Sequence, residues 1–213
     1  MLTLYGCARS RASRNIWLLG ELDRPYRHVP VVQRYRLTDE QAARVLNTES
    51  PDFRAVTPLG AIPALSDGDL VLTESMAINL YLAEGSALGP RDAAERAQMV
   101  EAALFATSWI EPDALTIMFA LADGKGDAAA VAEAAARLRR PLAVVEAKIA
   151  AEGHPVGRRF TVADINLAEA LRYAQSHPTL LGEYSALSGW LAECQARPAF
   201  RAMWAQREAE VLG

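Results

Sequence analysis

Cysteine is nearly missing from this chain: 213 residues contain only Cys7 and Cys194, far apart and outside any Cys-x-x-Cys arrangement. That excludes a disulfide framework and a thiolate zinc site. Histidine is as sparse. His28, His154 and His177 are scattered rather than grouped at metal-ligand spacing, so no metal is expected. The formal net charge is -4 and no run of Lys and Arg stands out, which removes the long-range attraction that nucleic acid or anionic lipid would need. No uninterrupted apolar run reaches the ~18 residues of a membrane span, and Met1-Leu2-Thr3-Leu4-Tyr5 lacks the basic region and apolar core of a secretory signal. The expectation is a cytoplasmic protein with neither nucleic acid nor membrane as partner. What is present is core material: 51% of residues are apolar, enough for one folded body or two small ones at roughly 100 to 200 residues per domain.

The first 84 residues alternate short apolar runs with helical patterns, the order of an α/β unit. Met1 to Tyr5 reads as a strand and Gly6 to Ser10 as a turn. Ala12, Ile16, Leu19 and Leu22 then recur at helical spacing before the stop at Asp23-Arg24-Pro25. Tyr26 to Val32 suits a second strand, Asp39 to Leu46 a short helix, and Ser50 to Phe53 a helical turn. Ile62 to Leu65 and Leu70 to Thr73 read as two strands joined through Ser66-Asp67-Gly68-Asp69, which has the Asp-Gly chemistry of a hairpin turn. A helix from about Glu74 to Ala83 closes this half. After the Gly- and Pro-bearing linker Gly85 to Pro90 the pattern is helical throughout. Pro141 marks a kink or join there. Thr161-Val162-Ala163-Asp164 has the form of a capping box, flanked by Phe160 and Ile165 at the positions of a hydrophobic staple. Leu187, Trp190, Leu191 and Cys194 form a core-facing stripe, and Arg197-Pro198-Ala199-Phe200 restarts a helix.

Three places carry chemistry, each with a plainer reading beside it. Ser10 sits at a strand-to-helix turn and either caps the helix or offers its hydroxyl to a ligand; Ser13 competes with it. Glu74 and Ser75 sit where a helix begins, so they either cap it or join its free amides in holding a carboxylate. Ile62-Pro63 is either an ordinary turn before an edge strand or a docking point for extended backbone. Cys7-Ala8-Arg9-Ser10 has in addition the Cys-x-x-Ser form of monothiol redox proteins.

Leu4-Tyr5-Gly6 leading to Ser10, Thr57-Pro58-Leu59-Gly60-Ala61-Ile62-Pro63-Ala64-Leu65, Thr73-Glu74-Ser75-Met76-Ala77-Ile78, Phe160-Thr161-Val162-Ala163-Asp164 and Arg197-Pro198-Ala199-Phe200 together resemble the cytosolic glutathione transferase family, in a serine-type, bacterial-like or phi- or zeta-like form. The resemblance covers nearly the whole chain, in order. It implies an α/β plus all-α protein, with a thioredoxin-like glutathione-binding domain over 1–84 and a helical bundle over 91–213.

By the same resemblance Ser10 stabilises the glutathione thiolate and Ser75 holds the γ-glutamyl carboxylate. Glu74 holds the ammonium group, and a cis Ile62–Pro63 step turns the Ile62 backbone outwards to the peptide. Lowering a thiol pKa by two units takes about 2.7 kcal/mol, within reach of one charge-assisted hydrogen bond and a helix terminus. The redox cysteine of relatives falls at Ser10, which leaves Cys7 in the preceding loop. The implied activity is conjugation of glutathione, as co-substrate, to a small apolar electrophile. Phe105 and Trp109, with Met118 and Phe119, are by that resemblance candidate walls of an acceptor site between the halves, the plainer reading of such an aromatic stripe being core packing. Alternatives are a glutathione-dependent isomerase, dehalogenase or peroxidase, or a non-catalytic binding scaffold. Homodimers are implied. The chain departs from relatives at Thr48-Glu49, where several have His-Lys before Ser-Pro, and at Ala61. Support for the glycyl carboxylate is thereby weakened, with Arg34, Arg36 or Arg54 as substitutes.

Overall fold

The computed structural model describes residues 1–122 and 127–211; residues 123–126 and 212–213 of the expected 91–213 half lie outside the described residues. The chain forms two compact units: Met1–Glu84 with the segment from Pro198 onwards, and Gly85–Arg197. The last helix thus joins the sheet-bearing unit, whereas the sequence reading ran the helical half to the end of the chain.

In the first unit β1 (Thr3–Tyr5), α1 (Ser13–Glu21) and β2 (Arg27–Val29) make a crossover in which β1 and β2 pair in parallel. The short helices α2 (Asp39–Ala42) and α3 (Pro51–Val56) follow, then the antiparallel hairpin β3 (Ala64–Asp67) and β4 (Leu70–Thr73), and α4 (Ser75–Ala83). The sheet order β2-β1-β3-β4, with β3 antiparallel to β1, is the expected thioredoxin-like arrangement. Side chains alternate across it. Tyr5 and Ala64 face a cluster with Val31 and Phe53, while the cross-strand pair Leu4 and Leu65 is buried on the other side.

Several boundaries differ from the sequence reading, and three have a clear local cause. β2 stops at Val29 because Pro30 has no N–H to give the ladder, and β3 starts after Pro63 for the same reason. The helix expected to reach Leu46 ends at Ala42, and the Asn47 side chain takes up the carbonyls of Ala42 and Val45 at 3.1 Å each.

α10 (Pro198–Ala209) packs antiparallel on α1. Phe200 meets Trp17 edge-on at 4.9 Å, and Gly20 lets Ala199 close in, since a Cβ there would lie 3.3 Å from the Ala199 Cβ.

The second unit contains α5 (Ala93–Phe105), a π-helical turn at Ala106–Ile110, α6 (Glu111–Ala122), α7 (Ala128–Glu152), α8 (Val162–Leu171) and α9 (Ser185–Ala196). Pro141 sits inside the continuous α7. The run Ala93–Ala122 is long and apolar enough by composition to cross a membrane, although a core helix passes the same test; Met99, Ala103, Ile110, Ala114 and Ile117 are buried within the protein.

The Thr161 capping box is formed. Fully buried Asp164 accepts from Thr161 N–H at 2.8 Å, and further donors are Trp190 Nε1 at 2.9 Å and His154 Nδ1 at 2.8 Å. The carboxylate lifts the His154 pKa above its ordinary 6.5, chiefly through that hydrogen bond.

Candidate active site

The loop from β1 to α1 begins at Gly6, with φ 145°, where a Cβ would lie 2.9 Å from Ala12 Cβ and 3.6 Å from Ile62 Cβ and Pro63 Cα. Only glycine lets the Ser10 loop come this close to the Ile62–Pro63 turn. Ser10 is buried. Its hydroxyl donates to the Cys7 carbonyl at 2.7 Å, and its oxygen accepts from Ala12 N–H at 3.1 Å. Ser13, completely buried at the first position of α1, is less accessible to a ligand. Cys7 is 1% exposed and lies 3.5 Å from Gln33 Oε1 as a donor. Burial first, and the Glu210 charge second, push its thiol pKa up, the opposite of what a reactive thiolate needs.

The Ile62–Pro63 bond is cis. Ile62 is half-buried, and its N–H and C=O make no hydrogen bond among the described residues. Glu74 precedes α4 with φ 65° and ψ 107°, a left-handed backbone rare for a residue with a side chain, and its exposed carboxylate does not cap the helix. Such conformations cost of order 1–3 kcal/mol and gather at ligand sites.

Ser75 follows, buried, and is held from α1 by residues that the sequence reading passed over. Arg14 Nη1 donates to Ser75 Oγ at 3.0 Å; Asn15 Nδ2 donates to Ser75 O at 2.8 Å and Asn79 Oδ1 at 2.7 Å. Arg14 is 1% exposed, which puts a guanidinium beside Ser75. The available signal was its spacing, since a residue four after Ser10 lies in the first turn of α1.

Two family descriptions match the chain in tandem: glutathione S-transferase, N-terminal domain, over residues 4–90, and glutathione S-transferase, C-terminal domain, over residues 97–198. Glutathione S-transferase 3 of Zea mays is 38% identical over 167 residues, spanning 72% of this chain and 74% of that protein. The chain belongs to the glutathione S-transferase family. A glutathione S-transferase of Hyoscyamus muticus is 32% identical over 212 residues, 93% of this chain and 95% of its own length. The theta class glutathione S-transferase of Xanthomonas axonopodis pv. citri, solved with glutathione bound, has a TM-score of 0.81 at 27% identity, covering 100% of this chain and 99% of that one.

As a member of this family, the chain arranges its departures as follows. Thr48 Oγ1 accepts from Arg34 N–H at 3.0 Å, and a Cβ on Gly60 would strike the Thr48 carbonyl, so residues 48 and 60 are in close contact. Arg34 is engaged by Asp39, by Glu49 at 4.0 Å and by the Leu37 carbonyl at 2.9 Å. Arg36 Nη1 donates to the Arg9 carbonyl at 3.0 Å, beside the Ser10 loop. The Arg54 side chain is exposed and makes no ion pair among the described residues. In the second unit Phe105 helps line an apolar cavity of about 260 Å³ with Ala102, Val145, Ile149 and Val156. Trp109, in the π-helical turn, is not part of that lining and is 57% exposed, as Phe119 is at 59%.

Proposed function

We propose that this chain conjugates the thiolate of glutathione to small apolar electrophiles. The observation carrying this reading is the convergence, within one unit, of a short hydroxyl-bearing loop at Ser10, an unpaired backbone edge at Ile62–Pro63 and the start of α4 at Glu74–Ser75. In the proposed complex Ile62 pairs with the peptide backbone. Ser75 takes the γ-glutamyl carboxylate with the Arg14 guanidinium beside it, and Glu74 takes the ammonium group. The Ser10 proton turns from the neutral Cys7 carbonyl to the sulfur, because a charged acceptor makes a hydrogen bond roughly twice as strong as a neutral one. The Ala12 N–H keeps the oxygen in place meanwhile.

Arg36 and Arg54 are proposed for the glycyl carboxylate, since Arg34 is already paired with acidic residues. Trp109 and Phe119, exposed on the second unit, and Phe105 are proposed to contact the electrophile. The same reading includes a cytoplasmic homodimer acting in detoxification, with glutathione as its co-substrate.

The test is calorimetric titration with glutathione followed by a panel of aryl and alkyl halides and enals. Glu74→Ala and Ser75→Ala are each expected to weaken glutathione by at least ten-fold, the loss of a charged contact worth about 1.4 kcal/mol or more. Full affinity in both variants sinks this placement. Binding with no conjugation across the panel sinks the activity.

A further inference from the structure

We infer that Glu210 is a positioning residue for the Ser10 hydroxyl, an inference that rests on the thiolate role proposed for Ser10. The loop between β1 and α1 presents two consecutive amides, Ala8 N–H and Arg9 N–H. Each donates to one oxygen of the Glu210 carboxylate, both at 2.8 Å, across some two hundred residues of sequence. Successive N–H groups aimed at one anion form a small anion-binding concavity. Here the chain supplies the anion itself.

The clasp is reciprocal. Arg207 Nη1 donates to the Ala8 carbonyl at 2.7 Å, and Arg9 returns Nε to the Arg207 carbonyl at 3.0 Å and Nη2 to the Glu208 carbonyl at 3.4 Å. Antiparallel packing explains how it forms. Ala199 sits against Gly20 near the end of α1 and Phe200 against Trp17, so α10 returns along α1 and delivers its own end to the loop before α1.

The clasp bears on the next two residues. Ser10 N–H and Ser10 Oγ–H both donate to the Cys7 carbonyl, at 3.0 and 2.7 Å, and Ala8 and Arg9 are the two residues inside that turn. Fixing their amides fixes the turn that aims the hydroxyl. Without the carboxylate both amides turn to water, and the turn is left to the Arg207 and Arg9 bonds to the carbonyls of Ala8, Arg207 and Glu208, so the aim of the hydroxyl at Cys7 is less fixed. Charge works the other way. A carboxylate near the loop disfavours an anion there by repulsion; at Cys7 it adds to burial, the larger cause, in pushing the thiol pKa up. Loss of positioning raises the bound thiol pKa, whereas loss of the charge lowers it, so the two roles give opposite signs.

Glu210→Ala, Glu210→Gln and Ser10→Ala are compared by pH–rate profiles and by the kcat and KM for glutathione. Glu210→Ala is expected to lower kcat about ten-fold, leave KM within about three-fold and move the acidic limb up by roughly half to one pH unit. Glu210→Gln, which keeps one acceptor oxygen, lies between Glu210→Ala and the parent, and serves if the Ala variant folds poorly. A limb that stays put or moves down in both Glu210 variants while Ser10→Ala moves it up overturns the inference and leaves the Ser10 reading standing. A limb unmoved in Ser10→Ala overturns that reading, and this inference with it.

Discussion

Replacing Asn15 by Leu tests how the two helices of the first unit share one polar joint. The swap conserves volume, so no cavity forms, but the Nδ2 group that donates to Ser75 O at 2.8 Å and Asn79 Oδ1 at 2.7 Å is lost. Both acceptors are buried; Ser75 O keeps its helical bond from Asn79 N–H, whereas Asn79 Oδ1 loses this donor at a cost of about 1–3 kcal/mol. Two effects soften the loss. Asn79 keeps its own bond to the Arg14 carbonyl at 3.3 Å, and Asn15 Oδ1, buried without a partner, is removed as well. A net loss of about 1–2 kcal/mol is expected, lowering Tm by roughly 2–8 °C for a chain of this size.

Because Asn15 holds the backbone of Ser75, glutathione affinity is expected to fall about ten-fold alongside. Urea unfolding followed by tryptophan fluorescence and calorimetric titration read the two effects. Stability within about 0.5 kcal/mol of the parent, with unchanged affinity, refutes the claim that this joint both braces the unit and sets Ser75.

Asp164→Ala removes the acceptor for Thr161 N–H and Trp190 Nε1, both buried, and is expected to cost about 3–5 kcal/mol in urea unfolding; a loss under about 1 kcal/mol contradicts the capping account. His154 has a folded pKa raised above its ordinary 6.5, so its contribution to stability is complete below that value and is lost as pH rises through the folded pKa. His154→Gln should therefore flatten the fall in stability as pH rises above about 6.5, and an unaltered pH dependence counts against the His154–Asp164 pair.

Local chemistry made part of this protein legible in its sequence. The Asp67-Gly68 turn specified the hairpin, and Thr161 and Asp164 specified the start of α8, because each signal lies within four residues of its partner. Pro30 and Pro63 were visible as strand breakers, yet the apolar runs around them outweighed them in the strand assignment. The positions of Ser10, Ile62, Glu74 and Ser75 came from the resemblance of ordered motifs rather than from spacing.

What escaped were partners set by tertiary packing. Arg14 and Asn15 meet Ser75 and Asn79 some sixty residues away, and Glu210 meets Ala8 and Arg9 from the far end of the chain. An Arg or Glu on a helix reads as solvated surface until the facing element is known. The left-handed backbone at Glu74 was equally hidden, since Thr73-Glu74-Ser75 reads as an ordinary helix start.

The central claim, that Ser10 holds glutathione as its thiolate, is tested by the thiolate absorbance of bound glutathione as a function of pH in the parent and in Ser10→Ala. The parent is expected to titrate about two units below the free thiol value of about 8.5, and Ser10→Ala to return towards it with affinity within a few-fold. A bound thiol that titrates near 8.5 in the parent, or a depressed value that survives in Ser10→Ala, contradicts it.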